Sequence, residues 1–190
     1  MLELIKLISS EGIVSSIGHS AANYKEVKAA YENGARIATH LFDATKAPET
    51  AYIGTLEVDF NEACMLMDNM FYEIICDSQW IHVRKEKLEL LIKTVGIDRI
   101  VAITDMCAIN SADDGLDVNL TGNILNGTKL TMDRVALNLF SAGFNLCDIF
   151  KMTSFNPATA LNLSDRGEIA VGKKADLILV DDKARFIRVL

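Results

Sequence analysis

No window of this chain strings together the roughly 18 apolar residues that a membrane-spanning helix needs. Nor does any run of Lys or Arg interrupt it. The first absence argues against a membrane span. The second, with 19 basic against 26 acidic residues, a net charge of −7 and a pI near 5.0, weighs against nucleic acid or an anionic membrane as the main partner. A small or neutral ligand fits better. The four cysteines, Cys64, Cys76, Cys107 and Cys147, are far apart and form no CxxC pair. With no secretion signal ahead of them they read as reduced thiols in a cytosolic, cytoplasmic protein, each expected to be buried in packing. What the chain does have is apolar material: 50% of its 190 residues are hydrophobic, enough for a substantial core and one domain.

Histidine is scarce too, and the three present are unevenly spent: His19, His40 and His82. The first two follow short apolar runs in "SIGHSAANYKEV" and "GARIATHLFDAT". An amphipathic helix, "MLELIKLISSEG", is expected to end at Gly12. The β-branched run "IVSSIG" then leads to His19. Asn23 and Glu26 form a capping-box pair, with Tyr24, Val27, Ala30 and Tyr31 on one helical face and Gly34 as the stop. "ARIATHLF" carries His40. "ACMLM" is open between a strand and a helix, whereas "FYEIICD" reads as a strand ending at Asp77. "RKEKLELLIKTVG" places Leu88, Leu91, Ile92 and Val95 on one stripe, and "RIVAIT" is a continuous apolar strand ending in Asp105. Strands and helices thus alternate. Near-continuous apolar strands in such a pattern imply an α/β fold whose parallel strands are buried on both faces.

Parallel strands put all their C-terminal ends on one rim, where residues distant in sequence converge. His19, His40 and Asp105 all stand at such ends, and the two histidines are one strand-plus-helix repeat apart. A lone histidine is usually a packed, hydrogen-bonded side chain. Two at equivalent strand ends with a carboxylate suit a divalent metal, because imidazole nitrogen and carboxylate oxygen both bind zinc at about 2.0–2.2 Å.

Six blocks, "IGHSAANYKE", "GARIATHLFDAT", "AITDMC", "LTMDRVALNLF", "SFNPATALNL" and "RGEIAVGKKADLILVDD", run in an order that resembles the N-acetylglucosamine-6-phosphate deacetylases of the amidohydrolase superfamily. The resemblance spans nearly the whole chain. It implies a partial TIM barrel over residues 1–165, with the family's strands five to eight and their helices, followed by strands of a small β-sandwich domain over residues 166–190. It implies that His19 and His40 ligate a divalent metal, zinc first and iron or another ion next, and that Asp105 is the catalytic acid–base. His82 matches a substrate-contacting histidine, and Asp43 and Ala44 occupy a substrate-binding position. The substrate implied is a small amino-sugar phosphate, hydrolysed at its N-acetyl amide.

Departures from the family pattern accompany these matches. A full barrel needs about 250 residues, and strands one to four, with an acidic metal ligand on the fourth, have no counterpart here. Asp43 stands where the family has asparagine, and an anion there would repel a sugar phosphate. "KAPETAYIG" lacks the arginine and histidine that help bind phosphate, while "CDSQWIH" is about two residues longer than usual, a change able to displace His82. "SADDGLDVNLTGNILNGTK" reads as a loop. Asn156 or Ser154 reads as a helix cap with Pro157 in the first turn. "ADLILVDD" and "RFIRVL" read as strands with unpaired edges, which favour a homo-oligomer or a complementing N-terminal half. Three readings follow: a deacetylase half that needs its complement, a non-catalytic remnant or oligomeric scaffold, and an amidohydrolase for an unphosphorylated amide.

Overall fold

The computed structural model describes residues 1–50, 52–108 and 115–190. The chain opens with α1 (Leu2–Ser10), β1 (Ser15–Ile17), α2 (Tyr24–Glu32) and β2 (Ala35–Ala38). It continues through α3 (Phe60–Met65), β3 (Phe71–Ile75), α4 (Lys85–Val95) and β4 (Ile100–Ile103). The four strands form one sheet in the order β1-β2-β3-β4, with the parallel pairing that the alternating periods predict.

Local sequence explains the elements. Asn23 accepts from the amides of Lys25 and Glu26 while Glu26 returns a bond to the Asn23 amide, closing the predicted capping box of α2. Asp59 and Glu62 do the same for α3, which resolves "ACMLM" as helix. On α4, Leu88, Leu91 and Val95 are buried, and the helix stops at Gly96, whose φ of +83° a residue with a Cβ adopts poorly. Both faces of the sheet are apolar. Ala38, Tyr72, Ile74, Ile100 and Ala102 join the main core with Val27, Leu88, Leu91 and Leu139. Ile37 and Val101 form a second cluster with Ala160, against which Phe71 and Ile103 pack.

Three expectations need correction. The segment read as a loop after Asp105 carries an antiparallel hairpin, β5 (Val118–Thr121) and β6 (Ile124–Thr128); residues 109–114 of that segment lie outside the described residues. Thr128 clamps the hairpin to the end of β4 by donating its amide to the Asp105 carbonyl and accepting from Cys107. Small polar residues hide the strand signal, since Gly122 supplies the turn and the tertiary partner supplies the pairing.

After α5 (Met132–Ser141) come α6 (Leu146–Phe150), a π-helical turn over Lys151–Phe155 and α7 (Asn156–Ala160), following one another without a break. Neither Asn156 nor Ser154 caps a helix. Asn156 is fully buried, and its amide donates to the carbonyls of Ile97 and Ile100 at 2.8 and 2.7 Å, a long-range demand that outweighs its local capping preference. Pro157 does stand in the first turn of α7. The third correction concerns cysteine: Cys64 and Cys76 are buried, but Cys107 is half-buried and Cys147 exposed, and all four are free thiols.

The chain ends in an antiparallel pair, β7 (Ile178–Val180) and β8 (Phe186–Val189), with Ile178, Phe186, Ile187 and Val189 exposed. Among the described residues no helix is long and apolar enough to cross a membrane.

Replacing Asn156 by alanine removes its bonds to the Ile97 and Ile100 carbonyls, of which that of Ile97 keeps the Ile100 amide. We expect a loss of about 1–3 kcal/mol in unfolding free energy, read as a lower urea midpoint with an unchanged slope.

Candidate functional site

Because the four strands are parallel, the segments that leave their C-terminal ends share one edge of the sheet. Gly18 follows β1 and lies so close to β2 that a Cβ there would sit 2.6 Å from that of Thr39. Ser16 and Thr39 are hydrogen-bonded through their hydroxyls across the same gap. The next residue in each segment is a histidine, and the pairing brings the two rings together: His19 Nε2 is 2.8 Å from His40 Nε2, with the rings 80° apart. His19 is exposed and His40 is buried beneath it.

All three strand-end candidates have left-handed backbones, with φ of +49° at His19, +29° at His40 and +47° at Asp105. Such conformations cost about 1–3 kcal/mol each in residues with a Cβ and cluster at functional sites. Two facing imidazole nitrogens 2.8 Å apart must share one proton or one ion. Zinc bonded to both at about 2.0–2.1 Å in a tetrahedral arrangement would set the nitrogens roughly 3.4 Å apart. The rings would need to separate by about half an ångström, so the donor pair fits a divalent ion. It is nevertheless only a pair: among the described residues no group of three or more His, Cys, Asp or Glu side chains is arranged to hold a metal. A catalytic zinc ordinarily has three protein ligands.

Asp105 is half-buried at the end of β4. Its carbonyl is so close to Gly127 that a Cβ there would meet it at 2.5 Å. Between Asp105 and His40 lies a residue the sequence reading missed, Glu73 on β3. Burial raises its carboxyl above the ordinary value; the His40 amide and imidazole oppose that rise, and the Asp105 charge adds to it. The Glu73 carbonyl also accepts from Leu41 at 2.8 Å. A single charge inside the apolar run "FYEIIC" was the available signal.

Asp43 is half-buried, and its amide donates to the His40 carbonyl at 3.0 Å. Ala44 is exposed with φ +49°. A second overlooked residue, buried Asn61, shapes this loop by accepting from the Phe42 amide at 2.8 Å and donating to the Thr45 hydroxyl at 3.0 Å.

His82 does not stand open at the rim. Its side chain and that of Asp77 are wholly buried, with His82 Nδ1 3.3 Å from Asp77 Oδ2. Asp77 also accepts from the amides of Gln79, Ile81 and His82 at 3.2, 2.8 and 3.0 Å. Burial pushes the Asp77 carboxyl up, but hydrogen bonds from the His82 ring and the Ile81 and His82 amides push it down further, so it lies below its ordinary value. His40 Nδ1 and His82 Nε2 are both buried without a protein partner, a state that costs about 1–3 kcal/mol when no ligand or water relieves it.

Residues 3–188 match the amidohydrolase family. The chain is 27% identical over 192 residues to an N-acetylglucosamine-6-phosphate deacetylase of Lysinibacillus sphaericus, covering 94% of this chain and 48% of that protein. It is 30% identical to the Bacillus subtilis enzyme of the same name, covering 97% and 49%. Among solved structures, the Mycobacterium smegmatis N-acetyl-D-glucosamine-6-phosphate deacetylase, as a D267A mutant in complex with N-acetyl-D-glucosamine-6-phosphate, superposes with a TM-score of 0.84 at 26% identity. That superposition covers 100% of this chain and 52% of the other. The chain thus spans about half the length of the relatives it matches.

Since the Asp77 carboxyl is lowered in the fold, the stability it contributes is present above the unfolded value of about 3.9 and is lost as pH falls through the lower folded value. Asp77→Asn should therefore be less stable than wild type at neutral pH, with the gap narrowing in acid, as followed by urea unfolding across pH.

Proposed function

The chain belongs to the amidohydrolase family, and from that premise we propose that it is the half of an N-acetylglucosamine-6-phosphate deacetylase that carries two metal ligands and the catalytic acid–base. The observation that carries this reading is the approach of His19 Nε2 and His40 Nε2 to 2.8 Å at adjacent strand ends. Residues 1–165 then correspond to barrel strands five to eight with their helices, and residues 166–190 to strands of a small β-sandwich.

His19 and His40 would hold a divalent ion, zinc by the chemistry of its donors. Such an ion supplies Lewis acidity, lowering the pKa of a water and polarising the acetyl carbonyl. Asp105 takes a proton from the attacking water as the new C–O bond forms. It returns that proton to the amine nitrogen as the C–N bond breaks, releasing acetate and glucosamine 6-phosphate. By the same resemblance His82 would hydrogen-bond and orient the sugar once its buried ring is uncovered, and Asp43 and Ala44, in the turn that follows His40, would contact it. The third ligand would come from an acidic residue on a strand ahead of β1, carried by a complementing N-terminal half. The protein would act in the cytoplasm as an assembly with that half or with further copies of itself.

That the described residues offer only two ligands favours a second reading, a non-catalytic remnant or oligomeric scaffold. The absence of arginine and histidine from residues 46–54 favours a third, hydrolysis of an unphosphorylated amide.

Two measurements decide. Acetate release from N-acetylglucosamine 6-phosphate should be absent with the chain alone and appear when an N-terminal half is co-expressed; no turnover in any mixture would leave the scaffold reading. In the complemented protein, combining His19→Ala with His40→Ala should abolish tight zinc uptake while leaving the fold, read by circular dichroism, largely intact. Equal zinc affinity would exclude the imidazoles as ligands.

A further inference from the structure

The turn after β3 contains a carboxylate–imidazole pair of which the hydrolytic reading uses only the imidazole. Asp77 Oδ1 receives the amides of Gln79 and Ile81, and Oδ2 receives the amide of His82. An oxygen pair so supplied with donors is a carboxylate and has no proton to give. The ring nitrogen facing Oδ2, His82 Nδ1 at 3.3 Å, must therefore be the donor of that contact.

The frame around the pair leaves little room for another arrangement. Trp80, at φ +54°, turns the chain back so that its amide reaches the Asp77 carbonyl at 3.1 Å. From outside the turn, Asp117 Oδ2 accepts the Ser78 amide at 2.8 Å and the Asn138 side-chain amide at 3.2 Å. Asn138 also donates to the Cys76 carbonyl at 2.9 Å. The end of β3, Asp117 just ahead of β5, and α5 thus hold residues 76–82, and both side chains of the pair are wholly buried. The one ring atom left without a protein partner is His82 Nε2.

We propose that Asp77 is a positioning residue that keeps the proton of His82 on Nδ1, so that the buried Nε2 of the neutral ring is an acceptor that only a group bringing a hydroxyl or N–H can satisfy. A ring fixed in this way does not donate from Nε2 to a carbonyl or phosphate oxygen while it is neutral. Whatever reaches Nε2, a water or a ligand group, must bring its own proton. That the ligand is an amino sugar rests on the deacetylase reading; the placement of the proton does not.

The test uses the full chain labelled with 15N-histidine, its three rings distinguished by His19→Gln and His40→Gln. Spectra are taken without ligand at about pH 8.5, well above the ordinary histidine value of about 6.5. Nitrogen shifts and long-range couplings then report which ring nitrogen of His82 bears hydrogen. We expect Nδ1 protonated and Nε2 carrying the lone pair; a proton on Nε2 overturns the proposal. In Asp77→Asn, the carbonyl should stay with the Gln79 and Ile81 amides and the NH2 should turn to the ring, forfeiting the His82 amide that Oδ2 accepted, so the proton should move to Nε2. A His82 ring that keeps its proton on Nδ1 in that variant would show that Asp77 does not set it. Should Asp77→Asn fail to fold, the wild-type spectrum decides alone. Because no ligand or turnover enters the measurement, its failure is distinct from a failure of the deacetylase reading.

Discussion

The pairing of β1 with β2 is the constraint on which the rest depends. Gly18 lies against Thr39 with no room for a Cβ, and the Ser16–Thr39 hydroxyl contact ties the same two segments. With the strands locked that closely, the residues that follow them have nowhere to go but toward each other. His19 and His40 meet through their Nε2 atoms, one exposed and one buried. A looser pairing would leave two ordinary surface histidines; this one creates a two-nitrogen donor set on the C-terminal edge of the sheet.

Burial on both faces of the sheet makes that edge rigid. Tyr72, Ile74, Ile100 and Ala102 face the main core, whereas Ile37 and Val101 pack with Ala160 on the other side. Glu73 is the polar exception within β3. It links the turn bearing His40 to the charge at Asp105, and burial holds its proton more tightly than in water. The same principle with the opposite outcome operates one turn further on, where hydrogen bonds from the His82 ring and the Ile81 and His82 amides to the Asp77 carboxylate outweigh its burial. Two carboxylates on neighbouring stretches of one strand and turn are thus pushed in opposite directions by their donors.

Much of this was legible in the sequence. The alternating periods gave parallel strands, the Asn23–Glu26 box was visible residue by residue, and two histidines one repeat apart pointed to a shared edge. The misses share a cause. The β5–β6 hairpin depends on Thr128 pairing with the segment after β4, and Asn156 gives up its capping habit to serve the distant carbonyls of Ile97 and Ile100. Asn61 shapes the His40 loop from 16 or more residues away. In each case a long-range polar partner overrides what neighbouring residues suggest.

Periodicity is a property of neighbours along the chain, so the sequence alone determined the alternation of strand and helix up to β4, the parallel sheet and the family to which the chain belongs. It could not determine distances between strand ends, because those depend on register and twist. Only the tertiary structure decided that His19 and His40 touch, that Glu73 sits between His40 and Asp105, and that His82 is sealed in beside Asp77 rather than open at the edge. Side chains far apart in sequence acquire a mutual geometry only when packing fixes the backbones that carry them.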